Sequence, residues 1–213
     1  MNCSAALDTS SNASLAIKRD GRFLVSASLT LNPRTSDAEL APWVIDQIDS
    51  AGLQLPDIRQ WTIGVGPGSF SGIRAGIAFL RGVCRGTGAD LRGIPGSRAL
   101  ARMATKDTSA GDIVAVLHDG RRGQALFSPY RVERRRVKPI GPTEAHPFDH
   151  LITLADRWTS VITPHADVLE DLLDSLREKT NVHTTDCVDA RELLNAHFPW
   201  PPTEDERESG LTP

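Results

Sequence analysis

The sequence predicts an α/β protein, and three observations carry that prediction. Three short segments with turn chemistry between them open the chain. Apolar residues then recur at helical spacing, and further on a strand runs through a Gly/Pro turn into a long helix. The opening segments, 2–7, 14–18 and 22–29, are separated by 8–12 and by Asp20-Gly21, which predicts three antiparallel strands. Leu40, Trp43, Val44, Gln47, Ile48 and Ala51 follow at i, i+3, i+4, i+7, i+8 and i+11, the repeat of an amphipathic helix. Ser36 and Glu39 resemble a capping box for it, and Pro42, which lacks a donor N–H, predicts a kink or a later start.

A strand over 61–65 then leads into the Gly-rich turn and a helix over about 72–85. A strand over 91–94 and a short helix over 97–104 complete a first subdomain, 1–105. The polar, Gly-containing stretch 106–112 reads as a boundary, and a second subdomain is expected over 106–197. Its strands are expected at 113–117, 125–128, 131–137 and 161–162, with a helix at 167–179 whose Val168, Leu169, Leu172, Leu173 and Leu176 share one face. Residues 198–213, PWPPTEDERESGLTP with the preceding Phe198, are rich in Pro and acid and are expected to be a disordered tail.

Bulk chemistry excludes several functions. Among 213 residues the net charge is −3, whereas a protein that grips nucleic acid alone carries a basic excess. Any RNA contact is therefore local or shared with a partner. Cys3, Cys84 and Cys187 form no CxxC pair, so a reduced chain is expected. The N-terminus has neither a basic region nor a long apolar stretch, and no run approaches the length of a membrane span. A cytoplasmic chain without membrane contact is the expectation.

The most informative stretch is 64–82, GVGPGSFSGIRAGIAFLRG. A turn made of Gly66, Pro67, Gly68, Ser69 and Phe70 can present backbone N–H groups to an anion at a helix N-terminus. No Lys-Ser/Thr pair follows it, as a Walker A loop requires, and Ser71 stands where GxGxxG needs its third glycine. At 100° per residue, Ile73, Ile77, Leu80 and Cys84 form one apolar arc, and Gly72, Gly76, Phe79 and Val83 an adjoining one. A helix lying on one sheet needs a narrower stripe, so a second partner surface is expected. Gly72 and Gly76 are expected to let it approach closely.

The string GVGPGSFSGIRAGIAFLRGVCRG resembles the signature of the TsaB (YeaZ) family. The opening ALDTSSNASLAI, with Asp8, Thr9 and Ser10 at its turn, is similar to the family's first two strands, and GIPGSRALARMA to its continuation. The resemblance covers about residues 2–105. It implies the actin/hexokinase/Hsp70-like (ASKHA) fold, with two related α/β subdomains, the second diverged or reduced. It also implies a non-catalytic scaffold that activates the transferase TsaD and works with the ATPase TsaE. Together they build threonylcarbamoyladenosine on tRNA, which this subunit meets only through the complex.

By that resemblance the partner interface is Gly72, Ile73, Gly76, Ile77 and Leu80, with Trp43 and Gln47 of the preceding helix, and the same face is expected to form a homodimer when the chain is alone. Asp8, Thr9 and Ser10 occupy the place of a vestigial phosphate site. No cofactor, metal or catalytic residue is expected. A sugar or acid kinase of the same fold is the alternative; it needs a second phosphate turn and an adenosine-binding glycine pair, and Gly111, Gly120, Gly123, Gly141 and Gly210 form no such pattern.

Departures from the family lie mostly late in the chain. Ser36-Asp37-Ala38 stands where a His-Ser-Glu-like start is usual. Residues 118–124, HDGRRGQ, keep an Asp and an Arg but not the Glu of the expected turn. The Pro-x-Tyr-x-Arg ending is reduced to prolines. His146 and His150 form an HxxxH that includes Pro147 and reads as a solvated turn; His165, His183 and His197 show no ligand spacing. Arg131, Arg134, Arg135, Arg136 and Lys138 form a basic run, read as a solvated face that on a hairpin could touch tRNA phosphates. No nucleophile and base stand out for the peptidase activity suggested for the family.

Overall fold

The computed structural model describes residues 3–30, 36–106, 108–134 and 136–195. It divides into two units, one formed by residues up to Gly96 together with those from Cys187, the other by Ser97–Asp186. The tail 198–213 and the side chains of Ser36 and Asp37 lie outside the described residues, and with Ser36 the capping box read there.

The first unit opens with β1 (Cys3–Asp8), β2 (Ala13–Arg19) and β3 (Arg22–Leu29), antiparallel as the turn residues predict. Asp20 at φ 47° and Gly21 at φ 85° make the tight reversal between β2 and β3. Helix α1 (Ser36–Ser50) runs through Pro42, so the later start expected there does not occur. Strand β4 (Gln60–Gly64) and β5 (Asp90–Ile94) add in parallel beyond β1, giving the order β3-β2-β1-β4-β5. Between them α2 (Phe70–Thr87) crosses over, starting two residues before the expected Gly72 because Ser69 caps it. Gly88 at φ 71° ends it in the left-handed conformation.

Period-two alternation sorts the sheet's faces. Cys3, Ala5 and Leu7 of β1, Leu15 and Ile17 of β2, and Trp61 and Ile63 of β4 pack with Leu40, Val44 and Ile48 of α1 and Leu80 and Cys84 of α2. Each such large side chain, fully buried, contributes roughly 1.5–3 kcal/mol. The short helix α6 (Ala190–Leu193) returns to this unit against β1, β2 and β4.

Helix α3 (Gly96–Met103) leads into the second unit: β6 (Ile113–Arg121), β7 (Gln124–Glu133), β8 (Arg136–Pro139), β9 (Glu144–Pro147), α4 (Phe148–Leu154), β10 (Ser160–Thr163), α5 (Glu170–Arg177) and β11 (Asn181–Thr184). The sheet order is β11-β10-β6-β7-β8, with β9 also paired to β7. Strand for strand this repeats the first unit: an antiparallel trio, then two strands added in parallel. The second unit is thus diverged in its helices, of seven and eight residues against fifteen and eighteen, and not reduced in its sheet.

Two further expectations, both in the second unit, are corrected. The single strand expected at 131–137 is a hairpin in which Glu133 pairs with Arg136 and Arg134 turns at φ 53°. The helix expected at 167–179 is limited to Glu170–Arg177. Leu151, Leu169, Leu172, Leu173, Leu176 and Trp158 fill this unit's core against Ala115, Leu117 and Val161.

Candidate functional site

The signature turn and the first turn of the chain are brought together. Gly66 stands at φ 91° and Gly68 at φ 150°, conformations that L side chains rarely adopt, and the Gly66–Pro67 peptide is cis. The Ser69 amide donates to the Ser10 carbonyl at 2.6 Å, and the Thr9 hydroxyl donates to the Gly72 carbonyl at 2.8 Å. At the start of α2, the Gly72 amide donates to Ser69 Oγ at 3.2 Å and the Ile73 amide to the Ser69 carbonyl at 2.9 Å. Three donors of the turn and first helical turn are therefore engaged within the chain, leaving them unavailable to an anion.

Asp8, Thr9 and Ser10 are all buried at the end of β1. Asp8 Oδ1 accepts from the Ser10 amide at 2.9 Å and from the Ser10 hydroxyl at 2.6 Å, an Asx-type turn. Oδ2 has no hydrogen-bond partner and faces Gly64, where a Cβ would fall 1.7 Å away. Burial raises the Asp8 carboxyl from 3.8 to about 6, against the lowering effect of the Ser10 hydrogen bonds. A carboxyl raised on folding stabilises the fold fully below its unfolded value, and that stability is lost as pH rises through the folded value. We therefore expect wild type to lose about 2 kcal/mol between about pH 4 and pH 6 from this group, out of on the order of 3 kcal/mol in all. Asp8→Asn keeps the acceptor at Oδ1 and removes the ionisation. Urea unfolding at the two pH values should show a flatter dependence for the variant; parallel curves would refute the assignment.

The glycines of α2 divide into two sets. A Cβ on Gly72 would lie 2.2 Å from the Thr9 carbonyl oxygen, and one on Gly76 would lie 2.4 Å from the Thr9 hydroxyl. These two glycines thus admit the chain's own first turn. Gly76 and Leu80 are buried and offer no surface to a partner, which corrects the part of the expected interface that they were to supply. Ile73 and Ile77 are half-buried, as are Trp43 and Gln47 on the neighbouring α1.

Gly82 and Gly86 meet nothing within 4 Å. With Ala78 they form an exposed stripe at i, i+4 and i+8, flanked by Arg74, Arg81 and Arg85. None of the three was among the interface residues expected from the sequence, although their spacing was visible there. A groove of roughly 740 Å3 runs beside the stripe, lined by Ile63, Val65, Ile77, Cys84 and Leu91 with Arg81 and Arg85 at its rim. At the helix start Phe70 is 74% exposed, with the Arg74 guanidinium 5.1 Å from its ring centre.

Other histidines gather in pairs. The rings of His146 and His150 stand 5.1 Å apart, and Glu144 pairs with His146 at 3.5 Å. His118, fully buried, packs edge-on against His165 at 5.6 Å, and burial pushes it down to about 3. Among the described residues no three metal-ligating side chains converge, and no helix is long and apolar enough to cross a membrane.

Residues 31–184 match the family model described as TsaD: tRNA N6-adenosine threonylcarbamoyltransferase. The tRNA threonylcarbamoyladenosine biosynthesis protein TsaB of Escherichia coli (strain K12) is 31% identical over 141 residues, 66% of this chain and 60% of that protein. The TsaB of Haemophilus influenzae is 34% identical over 136 residues, 62% of this chain and 55% of that protein. The matched region thus spans less than two thirds of either relative. Among solved structures, YeaZ from Pseudomonas aeruginosa superposes with a TM-score of 0.71 at 20% identity, covering 100% of this chain and 95% of that one. A protein described as similar to peptidase YEAZ, also from Pseudomonas aeruginosa, gives 0.75 at 24%, covering 97% of each. At these identities the likeness shows the fold, a two-sheet α/β fold shared with YeaZ.

Proposed function

Because the chain belongs to the TsaB (YeaZ) family and also matches the family model described as TsaD: tRNA N6-adenosine threonylcarbamoyltransferase, we propose that it is a non-catalytic subunit of the assembly that makes threonylcarbamoyladenosine on tRNA. It binds a TsaD-like transferase through the solvent face of α2 and activates it, alongside a TsaE-like ATPase. The observation that carries this reading is the exposed stripe Ala78, Gly82 and Gly86 beside an apolar groove. Glycine in an exposed helix costs about 1 kcal/mol relative to alanine. Nothing within the chain repays that at Gly82 or Gly86, where a Cβ would meet open space. A partner helix laid along the stripe would gain close backbone approach, fill the groove and contact Ile73 and Ile77. In the chain alone the same face supports a homodimer.

The two packed turns support a non-catalytic role. Asp8 is buried and tied to Ser10, and three amide donors of the signature turn and first helical turn are already bonded within the chain. Phosphoryl transfer requires such groups free and aimed at the nucleotide.

A drop-out reconstitution tests the reading. The transferase, the ATPase and the enzyme supplying threonylcarbamoyl-adenylate are mixed with unmodified tRNA, ATP, threonine and bicarbonate, with and without this chain. Nucleoside mass spectrometry should find the modified adenosine only with the chain present. Equal product in both mixtures would refute the proposal, as would robust ATP turnover by the chain alone.

A further inference from the structure

From the β7–β8 hairpin of the second unit we infer that the chain carries its own contact surface for the phosphate backbone of RNA. The hairpin is a two-faced ribbon. Tyr130, Val132 and Val137 are buried, and Tyr130 Oη lies 2.9 Å from Ser97 Oγ, which fixes that face to its unit. Arg131, Glu133, Arg136 and Lys138 are all exposed on the other face. The register sets Arg131 directly opposite Lys138 and Glu133 opposite Arg136, with Arg134 exposed at the turn.

Like charges directly opposite on a sheet repel and weaken the pairing. A solvated surface gains nothing from that arrangement, whereas a polyanion laid across it removes the repulsion and releases its own counterions. Among the described residues Arg131, Arg134, Arg136 and Lys138 make no ion pair, so their charge is free to act outward. Residues two apart on one strand face are separated by roughly 6.6 Å, so the face carries a short row of cations on a rigid support. The run has five cations and one carboxylate between 131 and 138, in a chain whose net charge is −3. The cationic surface is therefore local. Sequence is not read by such a surface; backbone is.

The partner class, tRNA, rests on the reading given under Proposed function. In that assembly the hairpin adds phosphate contacts to those of the transferase and helps hold the substrate.

The test titrates labelled unmodified tRNA with the full chain bound to its transferase, from about 50 to 200 mM salt. Wild type is compared with R131Q/R136Q/K138Q and with R22Q/R59Q/R157Q, which removes three exposed cations elsewhere. The hairpin variant should bind about tenfold or more weakly, with the slope of log K against log salt reduced by about 2–3. Its melting temperature at low salt should stay close to wild type, since the Arg131–Lys138 repulsion is lost together with the favourable Glu133–Arg136 juxtaposition. Unchanged affinity and slope would overturn the inference, and so would equal losses in the comparison variant. Loss of polyglutamate binding with tRNA binding intact would assign the surface to an acidic protein and overturn it as well. The drop-out reaction is run in parallel to separate the two claims. A wild-type chain that fails to support product sinks the subunit reading. One that supports product, with tRNA binding unaltered in the hairpin variant, sinks the hairpin alone.

Discussion

Placing glutamates at Ala78 and Gly82 should abolish partner binding and reduce modified adenosine to the level seen without the chain. Both positions are exposed, and a side chain on Gly82 meets nothing within 4 Å, so the fold has no reason to suffer. Replacing Gly82 improves helix propensity by about 0.5–1 kcal/mol, so the variant's unfolding midpoint should hold or rise. In the complex, two carboxylates would be pressed against an apolar partner surface. Desolvating the two carboxylates, even beside Arg74, Arg81 and Arg85, costs several kcal/mol, enough for a loss of a hundredfold or more in affinity. Size-exclusion of the variant with the transferase, and the drop-out reaction, read the two effects separately. A variant that binds and activates normally would move the interface away from α2. Any homodimer of the isolated chain should be lost in parallel if it uses the same face.

The second large effect is on folding. Gly72→Ala should destabilise the first unit by about 3 kcal/mol or more, because its new methyl would stand 2.2 Å from the Thr9 carbonyl oxygen, which is backbone. Gly76→Ala should cost about 2–3 kcal/mol, since its methyl meets the Thr9 hydroxyl at 2.4 Å and Ile63 at 3.2 Å. A side-chain clash can be relieved by truncation and a backbone clash cannot. Thr9→Ala should therefore rescue much of the Gly76→Ala loss and little of the Gly72→Ala loss. A double-mutant cycle in urea measures both couplings. Rescue of the two to the same extent would mean that α2 shifts as a body and that the contact with Thr9 does not set its position.

These two predictions separate glycines that looked alike in the sequence. Gly72 and Gly76, and again Gly82 and Gly86, are pairs four apart on one helix, and spacing alone gives both pairs the look of a place of close approach. Which body approaches is a long-range matter. The first turn, more than sixty residues away in sequence, fills the space at Gly72 and Gly76 and leaves Gly82 and Gly86 open. The same limit applies to the second unit. A basic run beginning at Arg131 reads as one strand because its turn contains arginines, where glycine or asparagine would have marked a reversal. Only the left-handed Arg134 shows the hairpin, and only the pairing register sets Arg131 opposite Lys138.

By itself the sequence determined the α/β class, the three opening strands, the two long helices and the family. These follow from local periodicity, turn residues and one specific motif, all legible within a few tens of residues. The tertiary structure decided the rest: that the signature turn is bonded to the Asp8 turn, that Asp8 is buried with a raised carboxyl, and that the free face of α2 lies at Ala78, Gly82 and Gly86. Burial and hydrogen-bond partners are set by which distant segments meet, and a sequence pattern records only that a segment is prepared to meet something.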